Sequence, residues 1–522
     1  MTTAAVYNQY WTTGGGAETY GAAMAQVLAR THAVELIGPE LVEPEDLARR
    51  LRVDLTGVTF RKAGPSTHEV ARVSADYDLF VNVSYLSIAP SRAPQSIYVV
   101  HFPAEMDGDL SPLQRAAIRT LGPLVRAQAV DTSWGEGFYP REGSRPRCFW
   151  TNGDASFFVQ ARPHEDTEVR LVFVHKRPVD MEPAEVRIEV DGEPAAEVKL
   201  PAGGSILDRR RGVPVVVTVP ADPDEADVRI RIRTDTFVPS EAQGGGDDRR
   251  LGVALTALHT GTGLRERVGA HIGAWFPLLY RAPADRDYLE SYDHVVCNSV
   301  FTKGWLHRWW DHEADVLYPP VHMHDGGDKQ PIILSVGRFF GAESGHSKKQ
   351  LELVAAFRQL LDRGVDGWTL HLVGGCGEAD RSYLESVRAE AEGLPVVFHI
   401  DAPGDELEGL YANASLFWHA TGLGEDPESD PQRLEHFGIA TVEAMSAGVV
   451  PVVFGAAGQL EIVEDGVSGY HFDDVEGLVS RTIELVDDPV RRADLSLGAA
   501  ERARDFSPDR FADRLTALLA SG

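Results

Sequence analysis

Residues 435–455 read EHFGIATVEAMSAGVVPVVFG. Gly438 breaks the chain, residues 441–447 predict a short helix, and Gly448 supplies the left-handed residue that commonly stops one. The run VVPVVFG (449–455) that follows is apolar on both faces, the pattern of a strand buried in a parallel sheet. Turn, short helix and buried strand together make one unit of a helix-covered sheet. The same unit recurs on either side. PIILSVG (331–337), WTLHLVG (368–374), PVVFHI (395–400) and SLFWHA (415–420) read as strands, with helical patterns such as Gln350–Leu361 between them. Residues 326–505 are therefore expected to form a Rossmann-like, doubly wound α/β domain. A terminal amphipathic helix in 506–522 carries Phe511, Leu515, Leu518 and Leu519 on one face.

The N-terminal residues 1–142 show the same rhythm more loosely. Ala4–Tyr7, Val34–Ile37, Leu79–Val83 and Ser96–His101 read as strands. After the loop Asn8–Gly16, Ala17–Arg30 places Tyr20, Met24, Val27 and Leu28 on one helical face. Near Arg141 the period changes to two. EVRLVFV (168–174), EVRIEV (185–190), VPVVVTV (213–219), DVRIRIRT (227–234) and LGVALTAL (251–258) alternate like half-buried strands. Asp191-Gly192, Ala202-Gly203-Gly204 and Gly244-Gly245-Gly246 punctuate them, so 143–261 is expected to be an antiparallel β-sandwich. The α/β rhythm resumes in 262–325 with a helix near Leu264–Ile272 and the strand HVVCNS (294–299). Such a lone strand belongs with the N-terminal sheet, which makes the sandwich an insertion.

Bulk composition narrows the function. Of 522 residues, 50 are Lys or Arg and 79 are Asp or Glu, a net charge of −29. Nucleic-acid affinity comes from clustered cations, so a nucleic-acid partner is excluded. A broad anionic membrane face is disfavoured, although a local basic patch can still dock at the membrane periphery. The three cysteines, Cys148, Cys297 and Cys376, form no Cys-x-x-Cys and indicate neither a disulfide framework nor a thiolate metal site. The start lacks a signal-peptide pattern and no apolar run is long enough to span a bilayer, so a cytoplasmic location is expected.

Three glycine-bearing loops stand between a strand and a helix. Gly14-Gly15-Gly16 precedes the first helix, where exposed amides let an anion approach; on a glycine run alone, a plain tight turn is the simpler reading. Gly337-Arg338 ends a strand, and Gly345-His346-Ser347-Lys348-Lys349 enters a helix. Cations at a helix start oppose its dipole, a conflict that a bound diphosphate would relieve. A solvated basic face is the alternative. At the third loop the amides of Gly438, Ile439, Ala440 and Thr441 are expected to be unpaired donors forming a phosphate pocket, with a dipole contribution of about 0.3–2 kcal/mol. Glu443, one turn in, can accept both hydroxyls of a ribose; Glu435 would face the cleft. Each of the two alone is more simply a solvated carboxylate.

Glu435 and Glu443 form Glu-x7-Glu in the setting E-H-F-G-I-x-x-V-E-A-M-x-A-G, with SVGRF and the two lysines upstream and GGGAE (14–18) near the start. This resembles glycosyltransferase family 4, and VVHFP (99–103), NSVFTKGW (298–305) and VLYPPV (316–321) add to the likeness. HFP and EHFGI are similar to a branch containing α-mannosyltransferases. The resemblance implies a GT-B fold of two Rossmann-like domains and a retaining transfer of a hexosyl group, mannosyl among the candidates. The donor would be a GDP- or UDP-linked sugar and the acceptor a hydroxyl on a carbohydrate, a lipid-linked or a small molecule. No cofactor and no metal ligand is implied. Arg338 and Lys348 would hold the diphosphate and Glu435 the transferred sugar, and His101 would meet the sugar or the reacting centre. Gly15 and Gly16 would close from the other domain, while His399, Phe437, Gly438, Ile439, Ala440, Thr441 and Glu443 would bind the donor. The inserted domain has no counterpart in the family pattern, and a homodimer through it stays open. A nucleotide-sugar epimerase or a phosphorylase on the same plan, or a non-catalytic carbohydrate-binding protein, are the competing readings.

Overall fold

A computed structural model describes residues 2–13, 15–105, 110–126, 135–139, 148–174, 176–178, 181–201, 212–243, 247–261, 263–280, 286–341, 347–377 and 380–521. Gly14, Ala202-Gly203-Gly204, Gly244-Gly245-Gly246, Gly345-His346 and the expected boundaries at 142/143 and 262 lie outside the described residues. The architecture is mixed α/β: two parallel sheets and an antiparallel one, inserted in the sequence of the first.

The first sheet runs Thr59–Lys62, His32–Gly38, Thr2–Tyr7, Leu79–Asn82, Gln95–Val100, His294–Cys297 and Asp315–Val316, all pairs parallel. Its chain order reverses at Thr2–Tyr7, the doubly wound pattern whose switch point opens a crevice at the strands' C-terminal ends. His294–Cys297 registers on Gln95–Val100, so the chain leaves the sheet, builds the β domain and returns. Central strands such as Leu79–Asn82 are fully buried, which explains why they read as continuous apolar runs rather than alternations. The short edge strand Thr59–Lys62, with three polar residues of four, gave no such signal.

The inserted region has one strand that serves two sheets. Phe149–Gln160 pairs at its start with Ala254–Thr260 and along the rest with Asp227–Thr234. Phe157, Ile188 and Ile230 from one half and Leu171, Phe173 and Val217 from the other share a single core. The period-two alternation follows from this packing, with one face on the core and one in solvent. At the Ala184–Val190/Glu193–Leu200 hairpin, Asp191 and Gly192 have φ of 49° and 87°, the left-handed pair that a two-residue turn needs. Glu136–Phe138 falls before the expected boundary at 143, yet it hydrogen-bonds to Phe149–Gln160. That strand is therefore part of the β domain. Its three residues are too few to show a period.

The second parallel sheet runs Val396–Ile400, Thr369–Gly374, Gln330–Val336, Ala414–His419, Val450–Phe454 and Tyr470–Phe472. The terminal helix Pro508–Leu519 turns back to the first domain. Phe511 and Leu515 join the core around Val6 and Tyr20, and Gln95 Nε2 donates to the Leu519 carbonyl at 3.0 Å. This helix ties the two α/β domains together, so its amphipathic face buries against a neighbour rather than facing solvent.

Candidate active site

The C-terminal ends of both parallel sheets face one cleft with a volume of about 1230 Å³. Gly15, Gly16 and His101 line it from the first domain; Arg338, Lys348, Glu435, Phe437, Gly438, Ile439, Ala440 and Glu443 line it from the second. Eight sequence positions scattered from 338 to 443 and three from 15 to 101 are thus brought together. Two expected members are not.

The helix Ile439–Ser446 begins at Gly438, whose φ is 115° and where a Cβ would stand 2.5 Å from Gln459 Nε2. Only glycine suits that turn. The amides of Gly438, Ile439 and Ala440 have no acceptor among the described residues. The Thr441 amide was expected to be free too, but it donates to the Gly438 carbonyl at 3.0 Å, because the first turn of this helix is tight. Thr441 is fully buried and lies outside the cleft lining. Glu443 presents its carboxylate to the cleft while Tyr411 donates to Oε2 at 2.8 Å. Burial pushes this carboxyl up from 4.5 to about 7, against the lowering effects of Tyr411 and Arg52.

Arg338 is exposed to the cleft and has no acceptor among the described residues; its guanidinium lies 3.9 Å from where a Cβ on Gly15 would stand. Lys348 is already engaged. Its Nζ donates to Glu435 Oε2 at 2.6 Å, and His419 Nε2 approaches the same oxygen at 3.0 Å. Burial keeps His419 below its ordinary pKa, hence neutral. Gln459 Nε2 donates to its Nδ1 at 3.4 Å, which puts the proton on Nε2, facing Glu435. Lys349, paired in sequence with Lys348, turns the other way. With φ of 58° it caps the helix Gln350–Asp362 and bonds Glu425 at 2.7 Å, a structural role.

On the opposite wall, the Gly15 amide donates to Glu18 of its own helix, so it is spoken for. Glu18 is buried and also accepts from Asn8 Nδ2 at 3.2 Å. Gly16 faces Ile439 across the cleft: a Cβ there would lie 3.6 Å from Ile439 Cδ1. His101, at the end of Gln95–Val100, has Nε2 at 2.8 Å from the Val83 carbonyl. A carbonyl only accepts, so Nε2 carries the hydrogen, and burial disfavours a second proton. Nδ1 is left as an acceptor.

His399 does not line the cleft. Its ring pairs instead with His371 of the neighbouring strand at 3.0 Å and with Glu406 of the helix Gly404–Asn413. Asp401, two residues on with φ of 52°, lines the cleft in its place, near Asp380 and Gly375. Sequence reasoning also missed His419, although it ends a parallel strand as His101 does, and that position is the available signal. His436 stacks on Phe102 at 3.9 Å and 7°. The two short strings HFP and EHF thus meet face to face across the domains. Nearby, the Glu461 carboxylate accepts from the Val300 and Phe301 amides at 2.8 and 2.7 Å, a second interdomain tie.

Residues 324–502 match the family described as Glycosyl transferases group 1. A GDP-Man:Man(3)GlcNAc(2)-PP-Dol alpha-1,2-mannosyltransferase of Dictyostelium discoideum is 27% identical over 244 residues, covering 42% of this chain and 44% of that protein. The human Alpha-1,3/1,6-mannosyltransferase ALG2 is 27% identical over 269 residues, 45% of this chain and 61% of its own. The chain thus spans about half the length of the curated relatives it matches. Among solved structures, Anabaena HepE in complex with UDP aligns over 100% of both chains with a TM-score of 0.51 at 13% identity. A sucrose-phosphate synthase from Thermosynechococcus elongatus aligns over 100% of this chain and 99% of its own, with a TM-score of 0.50 at 13% identity. The fold is GT-B, with an inserted antiparallel sheet, and the matches support a glycosyltransferase. Among the described residues no helix is long and apolar enough to cross a membrane.

Proposed function

We propose that this chain moves a hexosyl group, mannosyl in the first instance, from a GDP- or UDP-linked sugar to an acceptor hydroxyl with retention at the anomeric carbon. The observation that carries this reading is one cleft uniting the Arg338 guanidinium, Lys348, amides at 438–440 without an acceptor among the described residues, and two carboxylates eight positions apart. A pyrophosphate leaving group acquires charge as the glycosidic bond breaks. Fixed donors aimed at it from a partly closed site stabilise that charge without reorganising. Arg338 has its donors available, and Lys348 is positioned to share its charge between Glu435 and the phosphate. Cationic side chains thereby supply the stabilisation that a divalent ion supplies elsewhere, and the transfer is proposed to proceed without one.

Glu443 would accept the two ribose hydroxyls, with Tyr411 fixing the carboxylate. Glu435, held by His419 and Lys348, would accept from hydroxyls of the transferred sugar. His101 offers Nδ1 to a further sugar hydroxyl, a positioning task that suits a neutral imidazole. The acceptor hydroxyl would approach on the face from which the diphosphate departs and pass its proton to a phosphate oxygen.

The test is direct. Purified protein incubated with GDP-mannose or UDP-glucose and a panel of sugar and lipid-linked acceptors should release the nucleoside diphosphate in step with product. Proton NMR of that product should show an α-anomer from an α-linked donor. A β-product would refute retention, and donor consumption without transfer would favour epimerisation.

A further inference from the structure

Outside the cleft, His322 and His324 lie two residues apart on the segment that joins the two parallel sheets, after Asp315–Val316 and before Gln330–Val336. In extended chain, residues i and i+2 present their side chains to the same side, and the two rings sit 4.7 Å apart. Glu408, on the helix Gly404–Asn413, faces them. One nitrogen of each ring and one carboxylate oxygen all lie within 4.8 Å of one another. Neither imidazole has a hydrogen-bond partner among the described residues, although His324 is buried. Its ring packs on Tyr411 at 4.7 Å and its backbone amide donates to Ser446 at 2.9 Å, so the segment is anchored while the nitrogens stay unused.

Two imidazoles and a carboxylate suit a borderline transition metal, zinc or cobalt, better than magnesium or calcium. Donors around a tetrahedral zinc stand about 3.4 Å apart, a separation the exposed His322 and Glu408 reach by side-chain rotation. A fourth position would be open to water. Among the described residues the cation at this place is Arg52, whose guanidinium lies 2.7 Å from Glu408. Arg52 belongs to the first domain, at the left-handed end of the helix Pro44–Leu51, whereas the three donors sit on the joining segment and the second domain.

We propose that His322, His324 and Glu408 form a transition-metal site, and that Arg52 of the facing domain competes with the metal for Glu408. The ion would be seated behind Tyr411, which reaches Glu443 on its other side, rather than at the reacting atoms. This site does not depend on the transferase reading, since its donors face away from the cleft lining.

The experiment uses the full chain, stripped with a chelator and titrated with Co²⁺ alone, following the visible d–d absorption. One equivalent should bind saturably, and Zn²⁺ should displace it. Loss of even an outer-shell partner weakens metal sites by about 10–100-fold, so His322→Ala and Glu408→Ala should cost at least that. Both residues are exposed, and unchanged melting of the metal-free variants establishes that they fold. Arg52→Ala should tighten binding several-fold. No saturable equivalent, or equal affinity in a His322→Ala/His324→Ala double variant, overturns the site. Unchanged affinity in Arg52→Ala overturns the competition.

Discussion

Two glycine turns face each other across the cleft, and they behave differently. At Gly438 the chain takes a left-handed φ of 115°, and the next two residues line the cavity with amides that have no acceptor among the described residues. At Gly15 the backbone is extended, with φ of −91°, and the amide already donates to the Glu18 carboxylate. Both are glycines at a helix start, and in sequence they look alike. What separates them is the third helical position: Glu18 there reaches back to the cap, whereas Thr441 has a side chain too short to do so and is buried. An amide already bonded to its own helix's carboxylate is not available to an anion, so the Gly15 amide differs from that of Gly438. The second domain therefore holds the donor in this reading, and the first closes over it.

If that contrast is right, removing charge on the Gly438 side should be the most damaging change. Arg338→Ala is expected to lower kcat by about 100–1000-fold, the range for losing one preorganised donor to developing charge. Because Arg338 is exposed and unpaired among the described residues, the melting temperature should hardly move. Steady-state kinetics beside thermal unfolding checks both halves. Lys348→Ala should come next and look different. It also strips Glu435 of a partly buried partner, so a stability loss of about 1 kcal/mol should accompany the loss of turnover. Lys348→Arg should restore stability more than activity, since its fork differs from a point charge. Equal effects in Arg338→Ala and Lys348→Ala would dissolve the distinction.

The contrast also marks what could be read from residues alone. Parallel strands such as VVPVVFG were legible because burial on both faces leaves an unbroken apolar run, and the insertion was legible because its strands bury one face only. The return of His294–Cys297 to the first sheet followed from the strand having no other partner. Glu136–Phe138 and Thr59–Lys62 were not legible; three or four residues cannot carry a period. For the site, Glu-x7-Glu placed both carboxylates at the cleft, one before the turn and one a helical turn beyond it. Pairings that depend on which way a side chain leaves its strand were invisible. Asp401 rather than His399 reaches the cleft because the chain turns there with a left-handed φ of 52°, and His419 meets Glu435 through contacts that only the fold brings together.

On the Gly15 side the expected effects are smaller. Glu18→Gln keeps the shape but weakens the cap, by about 1 kcal/mol, and frees the Gly15 amide in part. Donor KM should shift by no more than about tenfold, with kcat close to unchanged, since the loop positions the donor and bears no developing charge. Measuring the two constants separately is what matters. A large fall in kcat would mean that the capped turn contacts the leaving group after all, and the asymmetry between the two turns would be lost.

The mildest prediction concerns protons. The Glu443 carboxyl is held near 7 by burial, so in the ligand-free protein it is protonated below that value and ionised above it. A raised acid binds its proton more tightly folded than unfolded. Its contribution thus favours the folded state at low pH and is lost as pH rises from 4.5 toward 7. Donor binding runs the other way, because two ribose hydroxyls need an ionised acceptor. Calorimetric titration with the nucleoside diphosphate should show affinity rising several-fold between about pH 6 and pH 8. Glu443→Gln should bind more weakly at pH 8 and lose that part of the slope, leaving only the titration of the phosphate itself. Identical slopes in the two proteins would mean that the ribose does not rest on Glu443, and that the open amides at Gly438 face some other anion.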